Sequence, residues 1–406
     1  GQFKVRVEDT DKARSKKEYE IGMLDSLEWL GLSRDGELWR QSERIDIYKK
    51  YLNKLIDEGK AYISKEIEGE NKEVVRFKNP NTTITFEDLV RGTVTFDTSE
   101  LQDFIIARNI NEPVYHLAVV VDDFETGVTH VMRGEDGISN TPRQILIQEA
   151  IGAERPVYVH LPLILSSDRS KLSKRKHGEA VSLDYYRQKG YLPVAIVNYL
   201  ALLGWNPGTD KEIFTLEELI QSFDVSQIQK GGAIFNVEKL DWINKEHMKL
   251  MSEDERKKKI SERLNTIGCG DKVPEKVYPI IFDHISKWGD IDGLVSAGEL
   301  DYYSKKPEYE SNMLLWKTSP VENAKKHLEK VYGILKNSSD LDWSDTEKIK
   351  SLIFDYATQE GRGEVLWPLR VSLSGKEKSP DPFTLLFVLG KEESLKRIDN
   401  AIKKLS

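Results

Sequence analysis

The chain has 406 residues, a length that calls for roughly two to four domains rather than one core. With 39% hydrophobic and 32% charged residues it has the make-up of a folded, soluble protein, and no run of about 18 apolar residues offers a membrane span. A formal net charge of −8 excludes bulk attraction to nucleic acid, so any RNA contact must come from local basic patches, and a single cysteine, Cys269, excludes an internal disulfide framework or a cysteine zinc site.

Phe3, Val5 and Val7 alternate with Lys4, Arg6 and Glu8, the period of a strand with one apolar face, which Asp9-Thr10-Asp11 ends. Ser15-Lys16-Lys17-Glu18 has the form of a capping box, and Tyr19, Met23, Leu27 and Leu30 then recur at helical spacing up to Gly31. A second helix is predicted over 42–58, stopped by Gly59. From Ala61 to about Asn109 short β-favouring pieces (VVRF, TTITF, GTVTF, DFIIA) between turn residues predict a small inserted module. The α/β texture returns with VYHLAVVVDD and THVMRGED. Thr141-Pro142-Arg143-Gln144 reads as another capping box with proline in the first turn, and VYVHLPLIL reads as a strand. LDYYRQKG and PVAIVNYLALLGW are predicted helices, and from about Val237 onward the chain is mostly amphipathic helix. DERKKKISERL is expected to be a solvated helical face.

Three stretches bear chemistry. Residues 169–178, RSKLSKRKHG, hold five cationic side chains and close on Gly178, where a loop can turn sharply. By itself such a run is either a solvated charge patch or a phosphate-binding loop; its place after the apolar Leu163-Ile164-Leu165 and its interleaved serines favour the loop. In Arg6-Val7-Glu8-Asp9 alternation puts Arg6 and Glu8 on one face, and Glu8 is either an ordinary polar strand end or a partner for an ammonium group. Arg133, ending a second strand, is either a structural ion-pair member or a bidentate partner for a carboxylate. Seven histidines show no ligand spacing, so no metal site is expected.

Taken together these pieces resemble bacterial-type glutamyl-tRNA synthetases, which are class I aminoacyl-tRNA synthetases. The matching stretches are FKVRVEDTD, QSERIDIY at 41–48, PVYHLAVVVDD at 113–123, RGEDGISNTPRQ at 133–144 and KLSKR at 171–175. FNVEKLDWINKEHM and the final WPLRVSLSGKEKSPDPFTLLFVLGKEESLKRI extend the resemblance nearly to the last residue. The family's opening strand, its Pro-Ser-Pro-Thr-Gly loop and its His-Ile-Gly-His helix start have no counterpart, because residue 1 already lies at the second strand. The sequence is therefore expected to be a fragment, a truncated form or a degenerate paralogue.

The resemblance implies an α/β catalytic domain with a Rossmann-like parallel sheet, N-terminally incomplete, carrying a small α+β insertion and followed by an all-α anticodon-binding half. The expected limits are 1–61 and 113–165 for the catalytic parts and 62–112 for an insertion that binds the tRNA acceptor end. They are 166–236 for the basic loop and a stem-contact region, and 237–406 for the anticodon-binding region. Activity is expected to be ATP- and Mg2+-dependent activation of L-glutamate, then transfer to the 3′-terminal ribose of tRNA-Glu. Lys171, Ser173 and Lys174 are implied as catalytic; Asp136, Ile164, Lys171 and Lys174 as ATP-binding; and Glu8, Tyr115 and Arg133 as glutamate-binding. Trp367 and Arg370 are implied as tRNA contacts, although packing is the commoner use of a tryptophan. A cytoplasmic monomer is expected, with no zinc, membrane or DNA. Gly137 stands where relatives usually carry histidine or another bulky ring. The alternatives are a non-catalytic tRNA-binding paralogue, a glutaminyl-tRNA synthetase or a nucleotidylyltransferase.

Overall fold

The computed structural model describes residues 1–11, 13–66, 73–173, 176 and 178–406. The chain divides into two compact units, Gly1–His247 and Met248–Ser406. The division falls within the helix Val237–Leu250, not ahead of it, and Leu240 and Ile243 of that helix are buried in the first unit beside Tyr191, Ile196 and Tyr199.

The first unit opens with β1 (Arg6–Val7), paired in parallel with β2 (Trp39–Arg40). This strand is shorter than the alternation predicts, and Phe3 is 41% exposed. A period of two decides which way side chains point, whereas ladder length depends on the partner. Here the partner turns at Gln41 into a short 3-10 segment. Helix α1 (Lys17–Trp29) follows, and α2 spans Ile45–Asp57. The Ser15 capping box does not form: Lys16 is the N-cap, without a side-chain bond, because the Arg14 and Ser15 amides are turned onto the Asp11 carbonyl. The predicted apolar stripe of α1 is largely exposed at Tyr19 and Met23, while Glu20 is buried and paired with Arg40 and Lys17. Gly31 and Gly59 take left-handed φ just beyond the two helices, as the punctuation required.

Four strands, β3 (Ala61–Lys65), β4 (Glu73–Phe77), β7 (Phe104–Asn109) and β8 (Glu112–Pro113), form an antiparallel sheet in that order. The hairpin of β5 (Thr83–Asp88) and β6 (Gly92–Asp97), within the same segment, does not join it. Instead β5 pairs in parallel with β10 (Val157–Leu161), which pairs in parallel with β9 (His130–Gly134) in the register His160↔Arg133. The run VYHLAVVVDD is helix α3 (Tyr115–Glu125), and α4 (Thr141–Ile151) links β9 to β10. Asn140, not Thr141, is the N-cap of α4, and no side-chain cap forms there. Leu52, Leu55, Leu117, Val121, Ile145 and Ile147, all buried, knit α2, α3 and α4 over the strands.

Pro162 interrupts the apolar VYVHLPLIL, so that β11 is only Ile164–Leu165 and pairs in parallel with β12 (Ala233–Ile234). The predicted helices appear as α5 (Leu183–Gln188) and α6 (Pro193–Gly204), with Pro193 in the first turn, followed by α7 (Leu216–Ser222) and α8 (Val237–Leu250). The parallel strands with intervening helices realise the expected α/β class, distributed among the described residues over three separate ladders.

The second unit has helices and no strand among the described residues. Its first helix, α9 (Glu253–Thr266), carries a full Ser252–Glu255 capping box, and its charged face is solvated apart from buried Ile260 and Leu264. Helices at Val321–Asn337, Thr346–Glu360, Arg362–Ser374 and Pro382–Lys404 make the main packing, with Leu328, Val331, Ile353, Leu369 and Leu385 fully buried. No helix of the described residues is long and apolar enough to cross a membrane.

Candidate active site

The carboxyl end of β1 leads into a knot of buried charge. Asp122, with a fully buried side chain on α3, accepts hydrogen bonds from Gln41 Nε2 (3.0 Å), Arg44 Nε (2.8 Å) and the Tyr48 hydroxyl (2.8 Å). Beside it Asp123 accepts from Arg6 Nη1 at 2.8 Å, and Arg6 Nη2 donates to Glu8 Oε1 at 3.0 Å. Burial works against the Arg6 charge, but its bonds to Asp123 and Glu8 outweigh that and raise its pKa. Burial pushes the Asp123 carboxyl above the usual carboxylate range even though Arg6 pulls the other way. Burial first, then the bond to Asp122, raises the Tyr48 phenol. None of these roles was assigned from the sequence. The signal available was an Asp-Asp doublet closing an apolar helical run, since buried carboxylates require partners.

Glu8 is exposed beside Arg6 and lines a cavity of about 600 Å³ with Val5, Asp9, Tyr19 and Arg40. Tyr115, the first residue of α3, lines a neighbouring cavity of about 420 Å³ with Asp9, Thr10, Ser42 and Arg108. The two expected ammonium-site residues thus line different cavities that share Asp9. The Asp9 carboxylate is itself taken by the Ser42 amide (2.8 Å) and hydroxyl (2.6 Å).

Arg133 sits near the end of β9, half-buried. Its Nε donates to His160 Nε2 at 3.1 Å and its Nη2 to Thr141 Oγ1 at 2.8 Å, which is where the Thr141 hydroxyl is spent in place of capping α4. Behind it, His160 Nδ1 and Asp88 Oδ2 are 2.6 Å apart with both side chains fully buried. His116, next to Tyr115, is pushed down to about 4 by burial, with the Arg143 and Arg133 charges adding to the effect.

The basic loop returns toward the same turn. Lys171 Nζ lies 2.5 Å from Asp136 Oδ2, and both side chains are half-exposed. That bond is the main reason the Asp136 carboxyl is held below its usual range. Ile164 is 37% exposed on β11, and Leu172 N–H donates to its carbonyl at 2.9 Å. Asp168, which the sequence reading passed over, clasps the loop: it accepts from Lys176 Nζ (2.6 Å), Ser170 Oγ (2.7 Å), Ser170 N–H (3.0 Å) and the Ser166 hydroxyl. Lys176 first, then the two serines, depress its carboxyl strongly. Arg169 adopts a left-handed φ of 62° in this turn, and Gly178 takes 66° where a sharp bend was expected. The Ser173 carbonyl accepts from the Lys176 amide at 3.2 Å, whereas Lys174 lies outside the described residues.

In the second unit Trp367 donates its indole N–H to the Met313 carbonyl at 2.9 Å and packs against Trp316 at 5.2 Å between ring centroids. Gly363 makes room for that pair, since a Cβ there would stand 2.4 Å from Trp316 Nε1. Arg370 is half-buried, and its Nε makes no hydrogen bond among the described residues.

Comparison with known proteins places these features. Residues 1–69 and 63–242 match the family profile of tRNA synthetases class I (E and Q), catalytic domain, and residues 276–402 match an anticodon binding domain. A glutamate–tRNA ligase of Carboxydothermus hydrogenoformans is 38% identical over 98% of this chain and 92% of its own length. That of Thermodesulfovibrio yellowstonii is 36% identical over 99% and 92% respectively. The crystal structure of a glutamate tRNA ligase from Elizabethkingia meningosepticum, in complex with its amino acid, superposes with a TM-score of 0.85 at 29% identity, covering 100% of this chain and 93% of that one. With a class I catalytic profile over more than half its length and relatives alike nearly end to end, the chain belongs to the glutamate–tRNA ligase family of class I tRNA synthetases.

Proposed function

We propose that the protein is a glutamate–tRNA ligase acting in two steps. A carboxylate oxygen of L-glutamate attacks the α-phosphorus of ATP, the bond to the β-phosphate breaks, and pyrophosphate leaves. The 3′-terminal ribose hydroxyl of tRNA-Glu then attacks the acyl carbon and AMP departs. The observation that carries this reading is the meeting of two motifs 35 residues apart, Lys171 of the basic loop on Asp136 of the turn after β9. A triphosphate entering there would take Lys171 from Asp136, delivering a cation to the charge that develops on pyrophosphate.

In this reading Arg133 binds the side-chain carboxylate, Glu8 and Tyr115 the ammonium group, Asp136 and Ile164 the nucleotide, and Lys171, Ser173 and Lys174 the leaving pyrophosphate. Because Glu8 is paired with Arg6, substrate must share or displace that contact. Mg2+ would be held by the nucleotide's own phosphates, as is usual for this ion; the described residues offer no cluster of three His, Cys, Asp or Glu as a separate cage. The residues 62–112 bind the acceptor end, 166–236 the stem and the helical unit the anticodon, with Trp367 and Arg370 as contacts. The enzyme works as a cytoplasmic monomer. The helical second unit supports glutamate over the glutaminyl type, whose anticodon half resembles β-barrels.

The deciding experiment is glutamate-dependent ATP–pyrophosphate exchange with and without tRNA. Exchange driven by L-glutamate is expected; exchange driven by another amino acid, or tRNA binding with no exchange, overturns the assignment.

A further inference from the structure

Arg133 is held from behind by a chain of groups that no step of the reaction touches. Asp88 stands at the end of β5, on the hairpin that crosses from the inserted segment to β10. Its Oδ1 accepts from the amides of Val90 (3.0 Å) and Arg91 (2.8 Å), and its Oδ2 accepts from the His160 amide (3.1 Å). Oδ2 also accepts a hydrogen bond from His160 Nδ1 at 2.6 Å. The tautomer follows from the partners. An arginine has only donors, so the His160 Nε2 that meets Arg133 Nε must be the acceptor, and the ring proton must sit on Nδ1 toward Asp88. Burial lowers the pKa of this ring, with the bond to Asp88 opposing the shift and the Arg133 charge adding to it.

With Nε on His160 and Nη2 on Thr141, one edge of the guanidinium is pinned. The end-on edge, one N–H from each terminal nitrogen, is left for a carboxylate in the two-bond geometry that arginine favours. In this chain Gly137, standing where relatives usually carry a bulky ring, leaves Arg133 the space for this pose: a Cβ there would stand 2.7 Å from Arg133 Nε and 2.8 Å from its Cδ. We propose that Asp88, His160 and Gly137 are positioning residues for Arg133, the buried Asp88–His160 pair aiming the guanidinium and the bare Gly137 leaving it room to lie there. The proposal rests on the reading that Arg133 receives the substrate's side-chain carboxylate. It makes glutamate affinity depend on a carboxylate carried by the hairpin of the inserted segment.

The test uses the full chain in tRNA-dependent ATP–pyrophosphate exchange, with KM for glutamate, KM for ATP and kcat measured separately. His160→Leu removes the acceptor, and Asp88→Asn turns the ring toward the tautomer that presents a proton to Arg133. Each is expected to raise the glutamate KM about tenfold or more while kcat and the ATP KM stay within about threefold. His160→Gln, which offers an oxygen near the place of Nε2, is expected to recover most of the loss. Gly137→Ala leaves the buried pair untouched, keeping the question answerable if the core variants fail to fold, and is expected to raise the glutamate KM similarly. An unchanged glutamate KM in a folded His160→Leu or Gly137→Ala protein, or a loss confined to kcat, overturns the proposal. Arg133→Ala separates the two levels. If it raises the glutamate KM and the others do not, only the positioning role fails; if it too changes nothing, the Arg133 reading falls and the inference with it.

Discussion

Asp122→Asn should cost the first unit several kcal/mol without altering its surface. The carboxylate is fully buried and accepts three hydrogen bonds, from Gln41, Arg44 and Tyr48, with Arg6 Nε a further 3.9 Å away. An amide of the same shape has one acceptor oxygen where the carboxylate has two, and it places two donors among donors. It also removes the negative charge opposite the half-buried Arg44 and Arg6. Breaking a buried ion pair by neutralising one member costs about 3–5 kcal/mol, and each donor left dry about 1–3 kcal/mol, so about 3–5 kcal/mol is the restrained expectation after relaxation. For a unit of this size that corresponds to a fall in melting temperature of roughly 6–20 °C. Scanning calorimetry is the assay, because a chain of two compact units need not melt in one transition. The transition that moves should be the one lost when Leu52 or Ile145 is truncated, since both lie in the same core. A shift below about 2 °C would refute the view that Asp122 holds β1, α2 and α3 together.

Lys171→Ala should slow single-turnover adenylate formation about 100-fold while leaving the glutamate KM near its original value, and Lys174→Ala should behave likewise; unchanged rates would remove the loop from the chemistry. Acid should weaken the first unit partly through His116. Its folded pKa of about 4 lies below the unfolded value near 6.5, so the stability it contributes is whole above pH 6.5 and drains away as pH falls toward 4. Urea midpoints measured at pH 7 and pH 5 should therefore converge in His116→Gln relative to the parent, and parallel slopes would contradict this. Asp168→Ala should release Lys176 and Ser170 and speed tryptic cleavage within 169–176 with little change in melting temperature; equal cleavage rates would show that the clasp does not order the loop.

Where local rules sufficed, the sequence was readable. Pro193 opening α6, the glycines at 31 and 59 behind their helices, and the bend at Gly178 each follow from what a single residue's backbone can adopt. Capping boxes read less well. The two that the sequence offered, at Ser15 and Thr141, do not form, because the Asp11 turn and the Arg133 guanidinium claim the atoms that capping would have used, whereas the box that does form, Ser252 with Glu255, was not among those expected. The apolar stripe of α1 misled for a related reason. Periodicity marks a face, yet burial depends on what lies against it, and here Arg40 draws Glu20 inward while Tyr19 faces solvent.

The sequence by itself determined the family, through five motifs in order, and with it the identity of the charged residues available for chemistry. Only the tertiary structure decided their partners: Arg6 with Asp123, Arg44 with Asp122, Lys171 with Asp136, and Arg133 with a histidine anchored to Asp88. Those pairings join residues 27 to 117 positions apart, beyond the reach of any local pattern. A buried charge takes whichever partner the packed chain brings within about 3 Å, and that is settled by strand register and helix packing rather than by neighbours in sequence.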